Sequence, residues 1–148
     1  MPLETFFPYK LAVVAEAFSR QLVAVYGREY GLSREEWRFL FLLADAGSLD
    51  SLQLSQRTSL DKVQVSRAAS RLQGKGFITR SILGSDRRLR KYAVTDTGRE
   101  LFGKVFSEVE DRADEIFGVM DPDDLASLER GVAALGDAVS KVKAARDG

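Results

Sequence analysis

Between Lys62 and Lys91 the chain carries nine cationic side chains against one acid, Asp86. They are Lys62, Arg67, Arg71, Lys75, Arg80, Arg87, Arg88, Arg90 and Lys91. This stretch holds a charge of +8 and the rest of the 148 residues holds −8, so the formal net charge is zero. The chemistry open to such a stretch is polyanion binding, in which each ammonium or guanidinium neutralises a phosphate and releases a condensed counterion. Gln64, Ser66 and Ser70 lie among the first of these cations. A glutamine can pair with an adenine edge, an arginine with guanine or phosphate, and a serine with base or phosphate. A merely solvated face would account for the arginines, but not for the lack of any acid between Lys62 and Ser85.

Catalytic chemistry has little to work with. The sequence contains neither histidine nor cysteine. That removes the commonest general base, imidazole and thiolate metal ligands, thiol redox sensing and disulfides. Carboxylates alone could hold a hard cation, but no EF-hand spacing, Gly-rich phosphate loop or Ser/His/Asp arrangement is present. The expectation is a non-enzyme with no metal and no cofactor. No apolar run reaches about 18 residues, and Met1–Lys10 lacks the basic start and long apolar stretch of a signal peptide. A cytoplasmic protein without membrane association is expected.

The basic stretch must be positioned by its neighbours. Pro8 suits a first helical turn, and Leu11, Val14, Phe18, Leu22 and Val25 recur at helical steps, which predicts a helix to about Tyr30. Ser33 and Glu36 have the spacing of a capping box for a second helix with Trp37, Leu40, Phe41 and Ala44 on its apolar side. A short third helix from Asp50 or Ser51 to about Thr58 holds Leu52 and Leu54. Asp61 and Gln64 repeat the capping pattern for a fourth helix. Its apolar seam is Val65, Ala69 and Leu72, and Lys62, Gln64, Ser66, Arg67, Ser70 and Arg71 fall off that seam. The period then changes to that of strands over Phe77–Leu83 and Arg88–Val94, around the turn Gly84-Ser85-Asp86. Leu89, Tyr92 and Val94 are the packing candidates on the returning strand.

Thr95 caps a long fifth helix, and Asp121-Pro122-Asp123-Asp124 is a strong start for a sixth. In that last helix Leu125, Leu128, Val132, Leu135, Val139 and Val142 follow a heptad spacing and need a partner. The partner is either a second copy of the chain or helices one and five of the same chain. The fold class expected is mainly α with a small β-hairpin wing, a winged helix-turn-helix within a single domain spanning residues 1–148. The fourth helix is the candidate for insertion in a major groove.

These pieces resemble the multiple-antibiotic-resistance regulator (MarR) family of bacterial transcription factors. The resemblance rests on Trp37-Arg38-Phe39-Leu40, on Asp61 to Arg67, on Leu72 to Arg80, on Ser85-Asp86-Arg87-Arg88, and on Thr95-Asp96-Thr97-Gly98-Arg99. It implies that Arg88, on the wing with Arg87, Arg90 and Lys91, reaches the minor groove, and that Asp86 orients it or a neighbour. A narrow minor groove attracts an arginine carried on a thin hairpin. The resemblance also implies a winged lobe at about residues 33–97. Helices at about 6–30 and 98–146, with Leu11, Phe18 and the heptad residues, would make a homodimer. The implied partner is double-stranded DNA with a pseudo-palindromic operator, and the implied activity is regulation, as a repressor in the first instance. Small aromatic or anionic effectors are a further implication. Arg20, Tyr26, Trp37 and Arg38 are the candidates for holding one, as cations for a carboxylate and rings for stacking. The same residues could be plain core and solvated surface. A ligand-independent regulator and a winged-helix protein-interaction module are the competing readings. Acids on the fourth helix or a shortened wing would mark the latter, and the sequence has neither.

Overall fold

Ser33, Asp50 and Asp61 each open a helix by the same reciprocal device. In each case the side chain accepts from the backbone N–H three residues on, and the Glu or Gln there reaches back to the first residue's N–H. In this computed structural model, which describes residues 2–82 and 90–147, the three helices are α2 (Arg34–Ala46), α3 (Ser51–Thr58) and α4 (Lys62–Gly74). They follow α1 (Phe7–Tyr26) and a single 3-10 turn, Leu3–Thr5. The first helix stops at Tyr26, short of the expected Tyr30. The chain folds back there, with the Leu32 N–H donating to the Tyr26 carbonyl at 3.1 Å, and Gly31 takes a positive φ of 67° to allow it.

The wing consists of β2 (Ile78–Ile82) and β3 (Arg90–Val94), antiparallel, with Arg80 opposite Tyr92 and Ser81 opposite Lys91. A third strand, β1 (Ser48–Asp50), was not expected. It pairs with the other edge of β3, so the sheet order is β1-β3-β2 and β3 is central. Asp50 ends that strand and is also the N-cap of α3.

The chain divides into two compact units, one ending at Arg112 and the other starting at Ala113. The core of the first draws Phe39, Leu40 and Leu43 from α2, Leu54 from α3, and Val65, Ala68, Ala69 and Leu72 from α4. Tyr92 of β3 and Val105 and Val109 of α5 (Asp96–Phe117) pack into it, as do Val25 and Tyr26 of α1. The apolar side of α2 is therefore centred on Phe39, Leu40 and Leu43, with Phe41 exposed. In α3, Leu54 is buried and Leu52 is exposed. The start of α5 is pinned to the wing. Thr95 donates from its N–H to the Phe77 carbonyl and from its hydroxyl to the Gly76 carbonyl, while accepting from the Gly98 N–H.

In the second unit, α6 (Pro122–Asp147) starts as its sequence predicts, with the Asp121 carboxylate accepting from the Asp123 N–H at 2.8 Å. No residue of α6 is buried, and Leu128, Val132, Leu135, Val139 and Val142 are all exposed.

Candidate nucleic-acid interface

The turn between α3 and α4 is set by Ser59, a non-glycine residue at φ 62°, and by Leu60, which is pegged into the core at 7% exposure. The Thr58 hydroxyl accepts from the Leu60 N–H at 3.2 Å, and the Ser55 hydroxyl donates to the Leu60 carbonyl at 2.8 Å. The buried seam of α4 then fixes which side faces out. Lys62, Ser66, Arg67, Ser70 and Arg71 are exposed, and no acid occurs along α4.

Two of the expected readers have other engagements. Gln64 is half-buried, and its carbonyl oxygen accepts from the Asp61 N–H at 3.1 Å to close the cap. A bidentate pair with adenine uses both ends of the amide, so Gln64 would share its oxygen between the cap and the base or release the cap. Arg71 lies with its Nε 3.6 Å from Glu36 Oε1, across on α2. Lys75, a cation of the same stretch, donates to Glu36 Oε2 at 2.8 Å and to the Gly31 carbonyl at 3.2 Å. Removing the cap should cost what such caps usually contribute. Asp61→Ala is expected to lower unfolding stability by about 1 kcal/mol, read from the urea midpoint at constant m-value.

On the wing, Lys91 is exposed and Arg90 is half-buried, with its backbone N–H donating to the Ser51 hydroxyl at 3.4 Å. Asp86, Arg87, Arg88 and the packing candidate Leu89 lie outside the described residues.

The four effector candidates do not form one site. Arg20 is exposed on α1 and pairs with Glu16 at 3.4 Å. Glu16 also takes both Arg34 η-nitrogens, at 2.8 and 3.2 Å, and this Arg34 fork holds its carboxyl below the usual carboxylate range. Tyr26 is buried, which pushes its phenol up, and it stacks under Trp37 with ring centres 5.2 Å apart. Trp37 and Arg38 do come together, lining a cavity of about 370 Å³ with Phe41, Arg57, Thr58 and Ser59. Arg57 was not anticipated. It lies on α3, well away in sequence from Trp37, and nothing local marks it. Trp37 also stacks on Phe102 at 5.5 Å, so it is partly core, as its alternative reading holds. Among the described residues, no group of three or more carboxylates could hold a metal ion, and no helix is long and apolar enough to cross a membrane.

Residues 30–89 match the family model described as the MarR family. Over those residues the chain is similar to the MarR family. The MarR match takes in α2, α3, α4 and the first wing strand. The chain is 26% identical over 104 residues to the HTH-type transcriptional regulator FarR of Neisseria gonorrhoeae, covering 70% of this chain and 71% of FarR. The MarR fold is shared with solved structures at lower identity. NadR in complex with 4-hydroxyphenylacetate superposes with a TM-score of 0.77 at 22% identity, over 92% of this chain and 98% of NadR. BpsR of Bordetella bronchiseptica, whose DNA binding is regulated by 6-hydroxynicotinic acid, gives 0.74 at 18%, over 86% of this chain and 98% of BpsR. The MarR family is one of transcription regulators, which are not enzymes.

Proposed function

We propose that this chain is a sequence-specific transcription regulator that binds double-stranded DNA in the cytoplasm, as a homodimer on a pseudo-palindromic operator, and represses. The observation that carries the reading is the acid-free outward face of α4, with Lys62, Ser66, Arg67 and Ser70 exposed above a buried apolar seam. Such a helix suits a major groove, and the wing, with Arg87, Arg88, Arg90 and Lys91, suits the flanking minor groove with Asp86 orienting an arginine. The division of labour proposed is a winged lobe at about residues 33–97 and dimerisation by about 6–30 and 98–146, within one functional domain of 148 residues. Supporting this, Phe7 and Val14 of α1 are 69% and 61% exposed, Leu11 and Phe18 are half-buried, and the α6 heptad is exposed from Leu128 to Val142.

An effector fits the same scheme. The cavity between Trp37, Arg38 and Arg57 offers a ring for stacking and two guanidiniums for an aromatic acid, the class of molecule named with NadR and BpsR. Thr58 and Ser59 of its wall belong to the turn that launches α4. A ligand bound more tightly by the DNA-free form must weaken DNA affinity by linkage.

The test is selection of duplexes from a randomised pool, followed by affinity measurements on the winner and a scrambled control. Arg67→Ala should lose about 1–3 kcal/mol on the selected duplex and relax the base preference at one position of each half-site. A wild-type protein that binds selected and scrambled duplexes alike would overturn the proposal.

A further inference from the structure

Glu36 is 3% exposed, a carboxylate within the core-facing first turn of α2. A buried carboxylate survives only if it is paired and hydrogen-bonded. Glu36 takes its partners from its own N-cap and from the C-terminal end of α4. Its Oε1 accepts from the Ser33 N–H at 3.3 Å and faces Arg71 Nε at 3.6 Å, and its Oε2 accepts from Lys75 Nζ at 2.8 Å. Both cations come from α4 or its C-cap, on the helix that carries the proposed DNA contacts. The capping of α2 needs only the oxygen that meets Ser33, and a glutamine supplies that equally well. The negative charge is therefore not required by the cap.

We propose that Glu36 is a specificity-determining residue that withholds Arg71 and Lys75 from DNA phosphate. This rests on the DNA-binding reading above. Affinity for DNA of any sequence comes from cations that displace condensed counterions. A cation held by an internal carboxylate is not free to displace them. Lys75, bound to both Glu36 and the Gly31 carbonyl, is the more tightly held of the two. The outward face of α4 then keeps Lys62 and Arg67 as its available cations, beside side chains able to read bases. Glu36 thus lowers sequence-independent binding while leaving base contacts untouched.

The experiment compares wild type with Glu36→Gln across a salt series, on a fluorescent duplex selected from a randomised pool and on a scrambled duplex. The variant keeps the cap and loses the charge. Binding to the scrambled duplex should tighten by about tenfold or more at low salt, with a log–log slope steeper by about 0.9 for each cation released in each subunit. The ratio of selected to scrambled affinity should fall. Lys75→Ala in the Glu36→Gln background should return one cation's share of the slope. A merely structural role would lower the melting temperature and reduce the active fraction on both duplexes equally, with the slope unchanged, and that result overturns the proposal. If Glu36→Gln does not fold, Lys75→Gln in the wild-type background decides the matter. A withheld lysine contributes no counterion release, so the slope should stay the same, and a shallower slope overturns the proposal. Wild-type protein that binds neither duplex would instead remove the DNA-binding reading itself.

Discussion

Leu135→Asp is expected to give a monomer that no longer binds its operator, with the winged lobe still folded. Leu135 stands in the middle of the α6 heptad and is already 43% exposed within the single chain. The substitution therefore removes little burial from the monomer. In a two-fold dimer the same residue would be brought against a partner's apolar seam, and symmetry places the aspartate there twice. An unpaired carboxylate in such surroundings costs several kcal/mol, and every 1.4 kcal/mol or so is a tenfold change in the dissociation constant. Sedimentation at micromolar concentration, circular dichroism and a DNA-shift assay on the same sample check the three parts. A Leu135→Asp protein that remains dimeric and binds DNA would rule out dimerisation through α6.

Gly98→Ala should destabilise the winged lobe by more than an ordinary core overpacking, at least about 3 kcal/mol, with a melting temperature lower by on the order of 10 °C. A Cβ at Gly98 would lie 2.1 Å from the Phe77 carbonyl oxygen and 3.0 Å from Val94 Cγ2. The oxygen cannot easily retreat, because it accepts from the Thr95 N–H at 3.0 Å at the start of α5. Gly103, on the same helix, is the internal comparison, since a Cβ there meets nothing within 4 Å. Gly103→Ala should stabilise the helix by about 0.5–1 kcal/mol. Thermal melts of the two variants should thus move in opposite directions. A wild-type melt for Gly98→Ala would show that the wing and α5 are not in contact as described.

The elements legible in the sequence were those whose signals are local. The Ser33/Glu36 and Asp61/Gln64 boxes, Thr95 and Asp121-Pro122 each open a helix where expected, because a cap is a contact among residues two or three apart. The strand β1 was not legible. It has three residues, of which Leu49 alone is buried, and so it shows no period; its pairing with β3 is set 43 residues later in the register Ser48↔Ala93, Leu49↔Tyr92 and Asp50↔Lys91. The end of α1 was expected four residues late, because the chain turns out of the helix after Tyr26 and Gly31 serves the return of the Leu32 N–H to the Tyr26 carbonyl rather than the helix end itself. In the candidate site, the outward face of α4 followed from its seam. The capture of Arg71 and Lys75 by Glu36 did not, because the ion pair spans 39 residues from Glu36 to Lys75 and no spacing rule reaches that far. Arg57 joined Trp37 and Arg38 only through the packing of α3 against α2.

Asp50 belongs at once to the last rung of β1 and to the cap of α3, with no residue between strand and helix. The helix-turn-helix is therefore joined to the sheet through the backbone of one residue, with no loop between them. A displacement of α3 acts through that residue on β1 and, by the pairing of β1, on β3. In the DNA-binding reading proposed above, the strand so reached is the central one of the sheet that carries the wing.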